Sequence, residues 1–421
     1  MRAISMRIFF VCILLFLLSS PLVRAQTVPN PPKAPQLTTQ FNFSPPGARS
    51  LGMGAAFIAL ADDATASESN PAGLVILGKP EVSAHFRFSS FYNEFPDTVN
   101  LQGSDTFKDV TASASFLSFV YPRGRTAFSV YYEQPGNFKS HSQFCCDFAG
   151  SELEDFQNTE SSDSTFKLEN IGGAGAVRLG SATSLGASIR QTRLNLQYGT
   201  FSIFTTCIPI PDTDPPLCPV DQSIRVEKTI DDSGSKVTFN AGILVTLPRR
   251  LSLGFVYKKG AEFDAKTTDV FDEETNDASF SETTTTLQPF KIPDSFGGGV
   301  AYRPKERWVL LADVVHITYS DISTTTVDED TGETQIVRAN SAMEFHAGTE
   351  YIRFYKDTPI SFRVGLFTDP DHDLFPEIDS GTIHFTFGGG IVILHGTLQI
   401  DAAVNLSGNT KEGLFSFVQR F

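Results

Sequence analysis

Beyond residue 25 the chain has no run of about eighteen apolar residues, the length a helix needs to cross roughly 30 Å of hydrocarbon, so any membrane crossing there has to use strands. Basic charge is scarce too: 33 Lys and Arg stand against 48 Asp and Glu, a formal net charge of −15. That leaves no basic patch to neutralise phosphates and disfavours nucleic acid as a partner. Catalytic signatures are missing as well. There is no GxSxG elbow, no CxxC pair and no HExxH helix, and the 7 His are scattered along the chain. Bond-making chemistry, a cofactor and a resident metal are therefore not expected.

What is abundant is phenylalanine, 38 of 421 residues, laid out with period two. In VSAHFRFSSFY, Val82, Ala84, Phe86 and Phe88 share one face while Ser83, His85, Arg87 and Ser89 share the other, the pattern of a sheet with one oily side. The alternation recurs as VTASASFLSFVY, TAFSVYYEQ, TSLGASIRQTRLNLQYG, RLSLGFVYKKG, TPISFRVGLFTD, TLQIDAAVNLS and GLFSFVQRF. Short turns (PRGR from Pro122, GSATS from Gly180, LPRR from Leu247, RPKER from Arg303, YKDT from Tyr355, and His395-Gly396) alternate with longer polar connections such as Asn93 to Asp109, Gly136 to Asp163 and Phe201 to Gln222. The pattern predicts an all-β fold, a transmembrane antiparallel β-barrel of about fourteen strands with both ends on the short-turn side. A propeller is disfavoured, because the strand-turn-strand units recur at shrinking rather than fixed spacing.

The first 25 residues carry Arg2 and Arg7, the apolar run FFVCILLFLL and the small-residue site Val23-Arg24-Ala25, which predicts a removable export signal over 1–25. Residues 26–46 hold Pro29, Pro31, Pro32 and Pro35 and read as an extended periplasmic leader. The expected barrel occupies 81–421.

Residues 47–80 stand apart from both. GARSLGMGAAFIALADDATASESNPAGL, Gly47 to Leu74, is rich in glycine and alanine, which allow close backbone approach. Asp62 and Asp63 are placed to cap a short helix that Asn70-Pro71 would end. The stretch suits a compact plug. Its ending, Asn70-Pro71-Ala72, resembles the N-terminal hatch of the FadL-type outer-membrane transporters of long-chain fatty acids and aromatic hydrocarbons. The segment KIPDSFGGGVAYRPKERWVLLADVVHITYSDI is similar to a hairpin of that family, and Phe421 resembles the terminal signal read by the barrel-assembly machinery. Ser67-Glu68-Ser69 departs from the family, many members of which carry aromatics there.

The resemblance implies a monomeric, hatch-plugged barrel in the bacterial outer membrane. Passive diffusion of a hydrophobic small molecule, with release into outer-membrane lipid, is its expected function. A structural or shuttle component of a secretion complex, as in PorV-like barrels, is the alternative. The expected gating residues are Gly52, Gly54, Asn70, Pro71 and Ala72. Pro135 and Gly136 mark a place where strand pairing should fail, since Pro135 lacks an N–H and Gly136 weakens the ladder; the resemblance implies a side window there, and a plain strand end at the loop is the equal alternative.

Once the signal is removed Cys145, Cys146, Cys207 and Cys218 remain, and an oxidising periplasm favours disulfides. Closing Cys207 to Cys218 would stabilise by about 3 kcal/mol; pairing across to Cys145 or Cys146 is the alternative. Asp369-Pro370-Asp371-His372-Asp373 has the spacing that begins a calcium loop, but Leu374 and Ser380 stand where glycine and a carboxylate are needed, so a solvated acidic loop is expected. The GGG runs at Gly297 and Gly388 fall mid-strand, where small residues make room inside a barrel.

Overall fold

The structure is a computed structural model that describes residues 45–96, 104–148, 155–207, 220–275, 278–321, 323–327, 334–370, 381–408 and 410–421. The expected signal and most of the leader lie outside them.

Alternating strands become one wall. In chain order they are β1 (Glu81–Pro96), β2 (Ser104–Arg123), β3 (Thr126–Phe148), β4 (Asp155–Leu179), β5 (Thr183–Cys207), β6 (Val220–Asp232), β7 (Ser235–Leu247), β8 (Leu251–Lys258), β9 (Glu262–Thr275) and β10 (Ser279–Lys291). They continue as β11 (Ser295–Lys305), β12 (Trp308–Ile317), β13 (Ser323–Val327), β14 (Thr334–Arg338), β15 (Ala342–Tyr355), β16 (Thr358–Asp369), β17 (Thr382–Ile393), β18 (Leu398–Leu406) and β19 (Thr410–Arg420).

Antiparallel pairing runs through β1, β2, β3, β4, β5, β7, β8, β11, β12, β15, β16, β17, β18 and β19. It closes where β19 returns to β1 with Glu81 opposite Arg420, a barrel of 14 strands. β6, β9 and β10 prolong β7, β8 and β11 beyond three neighbouring breaks at Ser233-Gly234, Lys259 to Ala261 and Ile292 to Asp294. β13 and β14 pair with each other.

The pleat sorts the side chains by solvent. Val82, Phe86 and Phe88 point outward and are exposed, while Ser83 and His85 point inward and are buried. Phe128, Phe239, Phe255, Phe296, Phe345, Phe362, Phe385 and Phe415 repeat the outward placement around the wall. An oily outside and a polar inside is the arrangement a lipid-embedded barrel requires, since lipid replaces water on one face only.

The long connections differ from expectation. Gly136 to Asp163 was expected as a loop, yet β3 runs on to Phe148 and β4 begins at Asp155. Of the connection expected from Phe201 to Gln222, both ends are likewise strand, since β5 runs to Cys207 and β6 begins at Val220. The reason is pairing: His141 lies opposite Asp163 and Gln197 opposite Asp231, so polar residues are held in ladders that continue above the oily belt. Polarity on both faces reads as loop in a sequence, although the backbone pairing does not depend on it.

Inside the wall sits the N-terminal segment, built from α1 (Ala48–Leu51), α2 (Ala66–Ser69) and a 3₁₀ helix, Pro71–Ile76. Its apolar side chains make the core together with inward residues of the wall. Ala61, Leu74 and Val75 pack on Phe116, Val120 and Ala127; Met53, Phe57 and Leu60 pack on Val309 and Leu311; Ala48 and Leu51 pack on Ala403 and Leu414.

Candidate functional site

The inner segment approaches the wall more closely than side chains permit. A Cβ built on Gly348 would stand 2.1 Å from the Met53 carbonyl oxygen, one on Gly365 2.1 Å from the Gly54 nitrogen, and one on Gly186 2.3 Å from the Ala72 nitrogen. The wall glycines thus hold grooves for backbone, and outer glycines of the two GGG runs also face the segment: Gly297 meets the Ile58 side chain, Gly299 the Ala59 nitrogen and Gly388 the Gly52 Cα. Gly54 itself has a positive φ of 67° and Gly52 packs with its Cα against Gly388, so both predicted glycines are needed for the fit.

Asn70 is fully buried and fixes a corner. Its Nδ2 donates to the carbonyl of Ile58 at 2.9 Å and to that of Ile243 on β7 at 3.3 Å. Its Oδ1 accepts the Ala72 N–H at 3.2 Å, so Asn70 ends α2 and caps the 3₁₀ helix that Pro71 opens. Ser184 of β5 then donates to the Ala72 carbonyl at 2.8 Å. Asp63 accepts from the Thr65 N–H at 2.9 Å at the start of α2.

Two charged anchors, which the sequence reading did not single out, hold the segment from opposite sides. Arg49 of α1 meets Asp62 at 2.6 Å and Glu350 of β15 at 3.0 Å, and Glu350 in turn meets Arg363, which meets Asp401. On the other side Glu68 of α2 is met by Arg190 of β5 at 2.9 Å, Lys258 of β8 at 3.1 Å, the Tyr131 hydroxyl at 3.2 Å and Asn240 at 3.0 Å. Burial pushes the Glu68 carboxyl up, but Arg190 and Lys258 outweigh it and hold the group below its ordinary value. One glutamate among small residues, and Arg190 on the inward side of an alternating strand, were the signals available.

A cavity of about 50 Å³ adjoins this second anchor, lined by Glu68, Glu133, Pro135, Gly136, Arg190 and Lys258 together with apolar Leu168, Ala261 and Ile292. Next to it an apolar cluster of Phe166, Leu168, Leu194, Leu196, Phe263 and Ile292, joined by Phe138 and Phe290, fills the lumen between β3, β4, β5, β9 and β10. Phe166 lies over Gly136, where a Cβ would stand 2.5 Å from its ring.

At the same level the wall loses a ladder. β2 and β3 pair from Arg123 and Thr126 up to Phe116 and Glu133, and no further. β3 carries a bulge between Glu133 and Gly136 and resumes pairing with β4 alone, Gly136 opposite Leu168. Gln134, in the bulge, is buried with its Oε1 unpartnered among the described residues, and so is the Ser115 hydroxyl of β2.

The other predicted positions are less informative. Cys218 and residues 371–373 lie outside the described residues, and the side chains of Cys145, Cys146 and Cys207 do too, although their backbones belong to β3 and β5.

A closed antiparallel barrel with an aromatic outer face, a polar lining and an inner segment bonded to its wall defines an outer-membrane β-barrel. The family model described as "Outer membrane protein transport protein (OMPP1/FadL/TodX)" matches residues 41–372, and the chain belongs to that family of outer-membrane channels for hydrophobic compounds. Among solved structures it is similar to a Pseudomonas aeruginosa FadL homologue, with 15% identity and a TM-score of 0.61 over 90% of this chain and 99% of that one. The P. putida toluene transporter TodX shares 16% identity and a TM-score of 0.59 over 90% and 99% of the two chains. The Ralstonia pickettii toluene transporter TbuX gives 14% and 0.55 over the same shares. At these identities the likeness is one of fold. A search among curated proteins finds no match.

Proposed function

We propose that the chain is a passive channel that takes a hydrophobic small molecule into the apolar lumen cluster and releases it sideways into outer-membrane lipid, with residues 47–80 acting as the hatch that closes the axial route. The observation that carries this reading is the end of the β2–β3 ladder at Phe116 and Glu133, with the cavity directly behind it bounded by Pro135 and Gly136. A bulge supplies one residue too many for its partner strand, so the bulged strand bends and the neighbouring ladder is lost. Outward Leu117 lies next to the gap, with outward Phe119 and Val130 paired just below it, so a molecule leaving there meets hydrocarbon rather than water. The hatch contacts supply the complementary argument: Asn70, Glu68 and Arg49 each bond to the wall, so moving the hatch aside breaks buried polar contacts.

Deleting Pro135 tests the window. Deletion removes the extra residue and lets Gln134 face Glu169, whereas a side chain at Gly136 would collide with Phe166. Uptake of a hydrophobic substrate should fall at least tenfold, with surface display and barrel folding intact. Undiminished uptake in that variant would overturn lateral release.

A further inference from the structure

The chain as a whole is acidic, with a net charge of −15, yet part of its short-turn end is basic. Three tight turns that follow one another around the wall, β7 to β8, β11 to β12 and β15 to β16, present Arg249, Arg250, Lys305, Arg307, Arg353 and Lys356, all exposed. Only Glu306 and Asp357 oppose these six cations there, which leaves four positive charges unmatched. Arg303 adds nothing to that excess, because Asp62 of the hatch holds it at 3.0 Å. The turns make one surface: Arg250 meets Glu306 at 3.5 Å, and the Ile352 N–H donates to the Arg307 carbonyl at 2.9 Å.

Backbone geometry argues that the charge is wanted for itself. Arg249 and Arg250 have φ of 66° and 64°, and Lys356 has 45°, a conformation that suits Asn and Gly and opposes longer side chains. Gly124 and Gly180 take positive φ in the turns after β2 and β4. Nothing in the fold alone calls for Arg or Lys at such positions.

Aromatic side chains fix the level of this arc. Tyr302, Trp308 and Tyr351 are exposed on the outward face next to the turns, and amphipathic rings of this kind lie where hydrocarbon gives way to head groups. Arg353 continues the outward face two residues beyond Tyr351. Arg307 lies over the Phe354 ring at 5.1 Å and Lys356 over the Tyr355 ring at 5.8 Å. These cations lie along the aromatic boundary, stems on apolar surface and heads beside it, whereas docking of a soluble acidic protein would call for charges aimed away from the membrane.

We infer that this arc binds anionic phospholipid of the periplasmic leaflet, with the Arg and Lys heads on the lipid phosphates. Short turns face the periplasm in barrels of this kind, and guanidinium forks match phosphate oxygens. The unmatched positive charge selects a lipid of net negative charge, since a zwitterionic lipid brings its own ammonium. The inference does not depend on the channel reading. The arc stands across the cylinder from the end of the β2–β3 ladder, so a lipid held there leaves that side of the wall clear.

Trp308 is the single tryptophan of the chain and lies inside the arc, its Nε1 donating to the Thr349 hydroxyl at 2.7 Å, so its fluorescence reports the lipid that touches this surface. The full-length barrel is reconstituted into dioleoylphosphatidylcholine vesicles doped with dibrominated phosphatidylglycerol or, in a matched sample, with dibrominated phosphatidylcholine. Bromine quenching of Trp308 then gives the local enrichment of each. Phosphatidylglycerol should be enriched about tenfold over phosphatidylcholine, the effect of one or two cations on an anionic head group. Arg249→Asn, Arg250→Gly and Lys356→Asn, combined, give these turns the residues their backbone favours. That barrel should resist heat at least as well as the wild type while the enrichment falls roughly threefold or more. Arg307→Gln with Arg353→Gln leaves the strained positions alone, should lower the enrichment likewise, and serves if the first variant fails to fold. Equal quenching by the two lipids in the wild type, or an enrichment unmoved by both variants, overturns the inference. Equal quenching together with tight binding of soluble polyglutamate would overturn it in favour of an acidic protein partner.

Discussion

Replacing Asn70 by alanine isolates the contribution of one corner to the closed state. The substitution removes the cap on the Pro71–Ile76 helix, the bond to the Ile58 carbonyl and the bond to the Ile243 carbonyl of the wall. Loss of an N-cap costs about 1 kcal/mol. Each of the two donors lost is worth about another 1 kcal/mol, since the carbonyls it leaves are buried. At roughly 1.4 kcal/mol per factor of ten, a total near 2–3 kcal/mol shifts the ratio of seated to unseated hatch by about a hundredfold. The barrel wall keeps its ladders, so folding should be preserved while the closed state is weakened. Single-channel recording in planar bilayers reads this directly: Asn70→Ala should show frequent openings where the wild type shows few, with unchanged heat resistance of the folded barrel. Asn70→Asp provides a sharper contrast, since it keeps the cap acceptor but sets a carboxylate against two carbonyls. Wild-type conductance in both variants would refute the idea that this corner holds the hatch.

Two further outcomes follow from the same contacts. Gly186→Ala should unseat the hatch, because the added Cβ meets the Ala72 nitrogen and the Pro71 carbonyl carbon at 2.3 Å, and backbone there has nowhere to go; leakage of a hydrophilic antibiotic into cells measures it, and normal resistance would contradict it. For pH, Glu68 has a folded-state value below its ordinary 4.5, so its contribution is fully present above that value and is lost as pH falls through the lower folded one. Wild-type and Glu68→Gln conductances should therefore differ at pH 7 to 5 and converge on acidification below about 4.5; parallel curves would show that Glu68 does not hold the hatch through its charge.

Much of the wall was legible because burial in a barrel depends on parity alone. Val82, Phe86 and Phe88 against Ser83 and His85 is a pattern that a reader can count, and the tight turns at Gly124, Gly180 and Gly396 punctuate it. The upper ladders were not legible. In β10, Ser279–Lys291, exposure on both faces leaves no alternation, and the strand exists because β9 supplies its hydrogen bonds. Asn70 and Gly54 were visible through backbone chemistry, which is local. Glu68 was not assigned a role because its partners, Arg190, Lys258 and Asn240, lie more than a hundred residues away and meet it only after the wall has closed. The same distance hid Arg49, whose ring of carboxylates comes from β15 and the segment's own Asp62.

The seat of α1 carries a consequence for how the molecule is made. Ala48 donates to the Ser416 hydroxyl on the last strand, Ala48 and Leu51 pack on Ala403 and Leu414, and Arg420 reaches Glu81 across the closing seam. The first part of the hatch to leave the ribosome is thus the part whose resting place is synthesised last. Until β18 and β19 exist, α1 lacks the Ala403, Leu414 and Ser416 part of its seat and β1 has no partner on its open edge. The seat of α1 and the closing seam of the cylinder therefore share one strand, and a chain that stops before Thr410 loses the Ser416 and Leu414 contacts of α1 together with the partner of β1.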